Sequence, residues 1–349
     1  MGWPKPLSAH RITARPIHKP ARMCHRWRRP MSIRLSRVGR LTAGILPGSM
    51  RAMLGVPLEW IRGVCKRVMV INGLGDPNAA NCRRRVRLAL FWLGLSLIAS
   101  PAWGWGGTGH RMICEIAWQH LTPAARREVQ GLLRVERGSS RFNESCTWAD
   151  RIRGDSRYDF LAPWHYLNLP PGTTRYRDRH CPRQGCVVRA IEETRAILAD
   201  SRHSRRERLD ALRLLGHFVG DVHQPLHVSH ARDRGGTLRT VRYGDDPAPI
   251  SLHKVWDDRL LDHWDADWRP VSLRMARALA MDERRLWSKG DAADWAMESF
   301  RLTEDQVYPQ ALDDVIDASE IAAAQRLVET RLRQAGWRLA GLLNSALDP

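Results

Sequence analysis

Two histidine–aspartate pairs with a four-residue spacing stand out in the chain: His217 and Asp221 in the segment HFVGDVHQPLH, and His253 and Asp257 in LHKVWDD. Residues so spaced project from one face of a helix, so each pair presents an imidazole nitrogen beside a carboxylate oxygen. Taken alone, such a pair is better explained by a structural hydrogen bond than by a bound ion. Pro225 ends the first of these helices and turns His227 elsewhere, so His223 and His227 do not form a further helical pair. Upstream, His110 follows Trp105-Gly-Gly-Thr-Gly, Asp150 lies in CTWADRIR, and His165 lies in APWHYLNLP. These are nitrogen and oxygen donors with no thiolate among them, a composition that suits zinc in a catalytic rather than a structural setting. They are too numerous for one zinc ion.

The elements that must position these groups are mostly helices. From Met112 to His120 apolar residues recur at three and four spacing, and Thr122-Pro123 supplies an N-cap and first-turn proline for the next helix. Further helices are expected at roughly 187–200, 206–223, 253–262, 271–280, 290–302 and 317–346. Leu238 to Tyr243, after Gly235-Gly236, is the best strand candidate, one arm of a short hairpin. No internal repeat or low-complexity linker follows residue 105. The expected fold is all-α, a single mostly helical domain with a short β-hairpin.

The formal charge of +19 suggests a nucleic-acid-binding surface until its location is examined. Residues 1–104 hold 19 of the 56 Lys and Arg but only two of the 37 acids, Glu59 and Asp76. The remainder therefore carries 37 basic against 35 acidic residues, a net of +2. Arg83, Arg84, Arg85 and Arg87 precede the apolar run LALFWLGLSLIA and the small-residue stretch Ser100-Pro-Ala-Trp-Gly104, the three-part pattern of a secretory signal peptide. The run is too short for a spanning helix, which needs about 20 apolar residues, so no stable membrane anchor is expected. We read residues 1–68 as a basic extension arising from a start called too early, with Met69 the true start. The other reading of that stretch is an arm that binds nucleic acid or membrane. Residues 69–104 are then the signal region and 105–349 the catalytic domain of an exported protein, with no obligate protein partner evident.

Export bears on the seven cysteines. Cys24, Cys65 and Cys82 fall in the part expected to be removed, and an even set remains, which suggests disulfides. Cys181 and Cys186 bracket Pro-Arg-Gln-Gly, a loop that a short-range bridge closes. Cys114 and Cys146 are left as a second pair or as buried thiols.

The donors, in this order and spacing, resemble those of the zinc-dependent single-strand-specific nucleases and 3′-nucleotidases of the S-one/P-one type, cousins of the bacterial zinc phospholipases C. The resemblance runs from Trp105 to about Asp257, and more diffusely beyond. It implies three zinc ions (Zn2+). Trp105, through its freed α-amino nitrogen and carbonyl oxygen, and His110 would share the first with Asp221. Asp221 would bridge to a second ion held by Asp150, His165 and His217, and His227, His253 and Asp257 would hold the third. Such a cluster neutralises charge growing on a phosphodiester and lowers the pKa of bound water toward about 7. The implied substrates are single-stranded RNA and DNA and nucleotides, cleaved to leave 5′-phosphates.

The resemblance further assigns catalytic roles to Asp150, which would orient the attacking water, and to Arg153, which would fork onto a phosphate oxygen. The plain alternative for Arg153 is a solvated side chain in the Arg-rich stretch 151–157. Tyr166 stands where the family stacks a base, with a core tyrosine as the alternative. Asn168 stands where the best-known members carry Asp, and Thr237 where an Asn is common. His120, His180, His203, His223, His230 and His263 match no motif and read as surface or structural, and Trp118, Trp148, Trp164 and Trp256 as packing around the site. The signal could also be cut after Ala102, releasing Trp103. Only a cut after Gly104 places a free amine five residues before His110. Against a phospholipase C stand the short Trp105-to-His110 spacing and Asp257 in place of Glu. Against a basic nucleic-acid-binding protein with structural zinc stand the near-neutral charge beyond residue 104 and the absence of Cys ligands.

Overall fold

The computed structural model describes residues 105–136, 141–310 and 314–348. The basic extension, the apolar run and the three upstream cysteines lie outside the described residues. Helix α1 spans Gly107–Gln119 and α2 Pro123–Leu133. The Thr122 side chain accepts from Ala125 N, and Pro123 occupies the first turn of α2, as its sequence predicts. Two short turns, α3 (Phe142–Ser145) and α4 (Trp148–Arg151), lead into a 3-10 segment over Ser156–His165, where no helical periodicity marks the sequence. Then come α5 (Val187–Ala199), α6 (Arg205–His223), α7 (Leu252–Lys254), α8 (Trp268–Arg277), α9 (Met281–Trp287), α10 (Ala292–Leu302) and α11 (Ala318–Leu347).

Helix α6 is the central helix of the described domain. Ser204 and Glu207 form a reciprocal capping box at its start, and every residue from Leu209 to His223 is buried. A helix covered on all sides must satisfy each polar group it carries. It is surrounded by α1, α5, α10 and α11. Helix α11 runs 30 residues from a second capping box, Asp317 with Glu320.

Among the described residues strand content is confined to short pairings. β1 (Leu167–Asn168) pairs in parallel with β2 (Val228–Ser229). The expected hairpin forms between β3 (Thr240–Tyr243) and β4 (Ile250–Ser251), and β3 also pairs in parallel with β5 (Val315–Ile316). The all-α expectation therefore holds. The helix expected over 253–262 is corrected: α7 gives way at Val255 to a π-helical turn through Arg259, with Leu260 N donating to Val255 O at 3.0 Å. Such turns recur at functional sites. Helix α9 was not anticipated. Among the described residues no helix is long and apolar enough to cross a membrane.

Candidate metal centre

The donors singled out in sequence converge from seven elements. His110 comes from the first turn of α1, Asp150 from α4, His165 from the end of the 3-10 segment, and His217 and Asp221 from adjoining turns of α6. His227 follows on the short turn begun by Pro225, which ends α6 as expected. His253 and Asp257 lie on α7 and the π-turn. Three groupings bring donor atoms within 4.8 Å of one another: His110, His217 and Asp221; Asp150, His165 and His217; and His227, His253 and Asp257. All eight side chains are buried.

Asp221 sits between these sets. Its Oδ2 lies 2.9 Å from His165 Nδ1 and 3.2 Å from His217 Nε2, while its Oδ1 lies 3.5 Å from His110 Nε2 and 3.6 Å from His227 Nδ1. One carboxylate thus faces two sets of imidazoles. Backbone carbonyls orient three of the rings: His217 Nδ1 donates to Cys146 O at 2.9 Å, His227 Nδ1 to His165 O at 2.6 Å, and His253 Nδ1 to Gly235 O at 2.7 Å. Carbonyl-oriented imidazoles are the usual arrangement behind metal ligands. Gly235 can serve His253 only as glycine. Its φ is +63°, and an added Cβ would fall on Leu226 O.

Several buried donor atoms have no hydrogen-bond partner: both ring nitrogens of His110 and Asp221 Oδ1. A buried polar atom left unpaired is costly, and three at one place, all of nitrogen and oxygen, fit a metal-binding site. The electrostatics agree at His165, His110 and Asp221 and run the other way at His217 and Asp257. Burial pulls His165 down to about 4 against the Asp221 hydrogen bond, and burial, aided by His217, lowers His110. Burial opposes ionisation of Asp221, but His217 and His227 hold it well below the ordinary carboxylate range. His217 is raised, because Asp221 and Asp150 outweigh its burial. Burial raises Asp257 despite His253. Neutral imidazoles and ionised carboxylates are the ligating forms.

The Trp105 indole is fully buried, and the next residue, Gly106, donates its N–H to Asp257 O at 2.8 Å, tying the start of the described chain to the third set. Arg153 Nε lies 3.1 Å from Asp150 Oδ1 and is partly exposed, so it is anchored at the cluster and not freely solvated. Tyr166 is 42% exposed, which overturns the core-tyrosine alternative. Strand alternation buries Leu167 and leaves Asn168 exposed two residues after Tyr166.

Both disulfides are present, Cys181–Cys186 and Cys114–Cys146. The second joins α1, one turn after His110, to the chain just before Asp150, and Gly216 of α6 packs against it. Of the unmatched histidines, His223 is structural and wholly buried. Its Nδ1 donates to Val219 O, and its Nε2 accepts from Arg338. Trp164 and Trp256 are buried, and Trp118 and Trp148 pack half-buried on the core. Gln224, between His223 and Pro225, escaped the sequence reading although it contacts Asp257 (2.6 Å); its signal was a polar residue in a stretch without exposed positions.

The mostly helical domain is built around a buried histidine–aspartate cluster that offers three candidate metal-binding sets. Residues 105–348 match the S1/P1 nuclease family model, and the chain belongs to that family. Curated relatives include Endonuclease 2 of Arabidopsis thaliana, 33% identical over 72% of this chain and 93% of its own length. Nuclease S1 of Aspergillus oryzae is 27% identical over 71% and 93%, and Nuclease P1 of Penicillium citrinum 27% identical over 69% and 97%.

Proposed function

We propose that this member of the nuclease family is an exported, zinc-dependent phosphodiesterase that cleaves single-stranded RNA and DNA to 5′-phosphate products and removes 3′-phosphates from nucleotides. The observation that carries the reading is the convergence of eight buried His and Asp side chains in three sets, with orphaned donor atoms at their centre. Trp105 and His110 would hold one zinc with Asp221, Asp150, His165 and His217 a second shared with Asp221, and His227, His253 and Asp257 a third. When bound, zinc supplies Lewis-acid stabilisation of the phosphoryl oxygens and a water acidic enough to attack near neutral pH.

The chain's own residues do the rest. Asp150 accepts a proton from the attacking water and holds its orientation, and Arg153, tethered to Asp150, turns its guanidinium onto a non-bridging oxygen. Tyr166 and Asn168, both exposed just after His165, receive the base. Stacking on Tyr166 tolerates any base, while the Asn168 amide offers donors as well as an acceptor. The catalytic domain is 105–349, preceded by a signal region over 69–104, and cleavage before Trp105 completes the first metal site.

The test is hydrolysis by the exported protein of single-stranded DNA, of a 3′-nucleotide and of phosphatidylcholine, each with and without a chelator. Chelator-sensitive release of 5′-phosphorylated products from DNA is expected. Chelator-insensitive cleavage, or hydrolysis of phosphatidylcholine alone, would refute the reading. Mass spectrometry of the active protein should find Trp105 first; Trp103 or Met1 in that place would refute the processing step.

A further inference from the structure

Gln224 is fully buried, an expensive place for an amide unless both of its halves are paired. They are. Its Oε1 accepts from Leu226 N at 2.6 Å, and its Nε2 donates to Asp257 Oδ1 at 2.6 Å. The first bond fixes the sense of the amide, because Leu226 N needs an acceptor, and so compels the NH2 group to face Asp257. Engaging Oδ1 in this way leaves Asp257 Oδ2 at 3.1 Å from His253 Nε2, among the third set of donors. The backbone of the same residue reaches the other donors. Gln224 N donates to Asp221 O at 3.0 Å, and Gln224 O accepts from His227 N at 3.0 Å.

From this geometry we infer that Gln224 is the positioning residue of the third metal site: it selects which oxygen of Asp257 faces the ion, and it fixes that site relative to the Asp221 side of the cluster. The inference rests on the three-metal reading above. It assigns Gln224 no contact with substrate. A donor behind a ligating carboxylate typically changes metal affinity about 10- to 100-fold when removed, and here the loss should be confined to one ion.

The experiment compares metal content and chelator-induced release for the exported wild-type protein and Gln224→Met, a replacement of similar volume that removes both side-chain bonds. Wild type is expected to carry three zinc ions. Q224M is expected to carry two, with the third returning when free zinc is raised about 10- to 100-fold. A merely structural role would instead lower thermal stability and loosen all three ions alike, with no selective recovery. A second measurement uses wild type alone, so that a Q224M protein that fails to fold does not decide the matter. The Gln224 side-chain amide protons should exchange slowly in a nitrogen-15 spectrum and shift as the last zinc equivalent is added. Three equally tight ions in Q224M, or amide protons that exchange at the solvent rate, would overturn the inference and leave the three-metal reading intact. A wild type that holds only two ions would overturn both.

Discussion

A methyl group added at Gly220 should displace His110 from the first candidate metal set while raising helix propensity, two effects of opposite sign that can be separated. Gly220 lies in the buried half of α6, where an ideal Cβ would stand 2.7 Å from His110 Nδ1, 2.9 Å from His110 Cε1 and 3.3 Å from Ile113 Cδ1. The His110 ring is wholly buried and stacked on His217 with centroids 3.9 Å apart. It makes no hydrogen bond, so the ring is the part that yields, and any movement takes it off the Asp221 Oδ1 direction. Alanine favours a helix over glycine by about 1 kcal/mol, whereas overpacking a filled core costs about 1–3 kcal/mol. Gly220→Ala should therefore lie about 0–2 kcal/mol below wild type in the metal-free state, a fall of up to roughly 8 °C in Tm. Gly341 on α11 is the matched control, since its added Cβ meets nothing within 4 Å. G341A should gain about 0.5–1 kcal/mol. Calorimetry of both stripped proteins, with zinc analysis after reloading, reads the two effects apart. A G220A protein that melts with G341A and reloads the full zinc complement would refute the claim that Gly220 makes room for His110.

Arg153→Ala should lower kcat by about 100-fold, the scale for losing one transition-state donor, with zinc content unchanged; equal turnover would remove Arg153 from the mechanism. Replacing Cys114 and Cys146 by Ala opens a bridge across a 32-residue separation and should cost about 3–4 kcal/mol on loop-closure grounds, against about 2 kcal/mol for the five-residue Cys181–Cys186 bridge. Only the first loss should weaken zinc retention, because Cys146 O orients His217; equal zinc loss in the two variants would contradict this. Glu298 accepts from Arg331 and Arg338, whose side chains are otherwise buried, so Glu298→Gln should destabilise by about 3 kcal/mol at neutral pH. Burial opposes it, but the two arginines depress the Glu298 pKa below 4.5. Its contribution is therefore full above that pH and lost as pH falls through the folded value, and the two melting curves should converge in acid. A constant gap between them would refute the assignment. Tyr166→Ala should raise KM for oligonucleotides by about 10-fold or more, as loss of about 1–3 kcal/mol of stacking requires; an unchanged KM would remove the stacking role.

The local part of this site was legible in the sequence because helical periodicity is local physics. Four-residue spacing places His217 beside Asp221, and Pro225 must end their helix, whatever the rest of the chain does. The His253–Asp257 pair was found by the same rule even though its backbone proved to be a π-turn, since the two side chains still meet at 3.1 Å. Donor chemistry, the Thr122-Pro123 start and the β3 arm were likewise written into short stretches of residues. What the sequence could not show is how segments far apart in the chain approach. That Asp221 faces both His110 and His165, that Gly220 admits the His110 ring, and that Gln224 reaches Asp257 are consequences of burying α6 on every side. So is the choice between bridge and free thiols for Cys114 and Cys146, which depended on α1 meeting the chain before Asp150. Residue spacing by itself picked out the two His–Asp pairs, and the family resemblance supplied the other candidate donors; only close packing decided which of them face one another, because contacts between distant segments follow from how the whole core fills its volume.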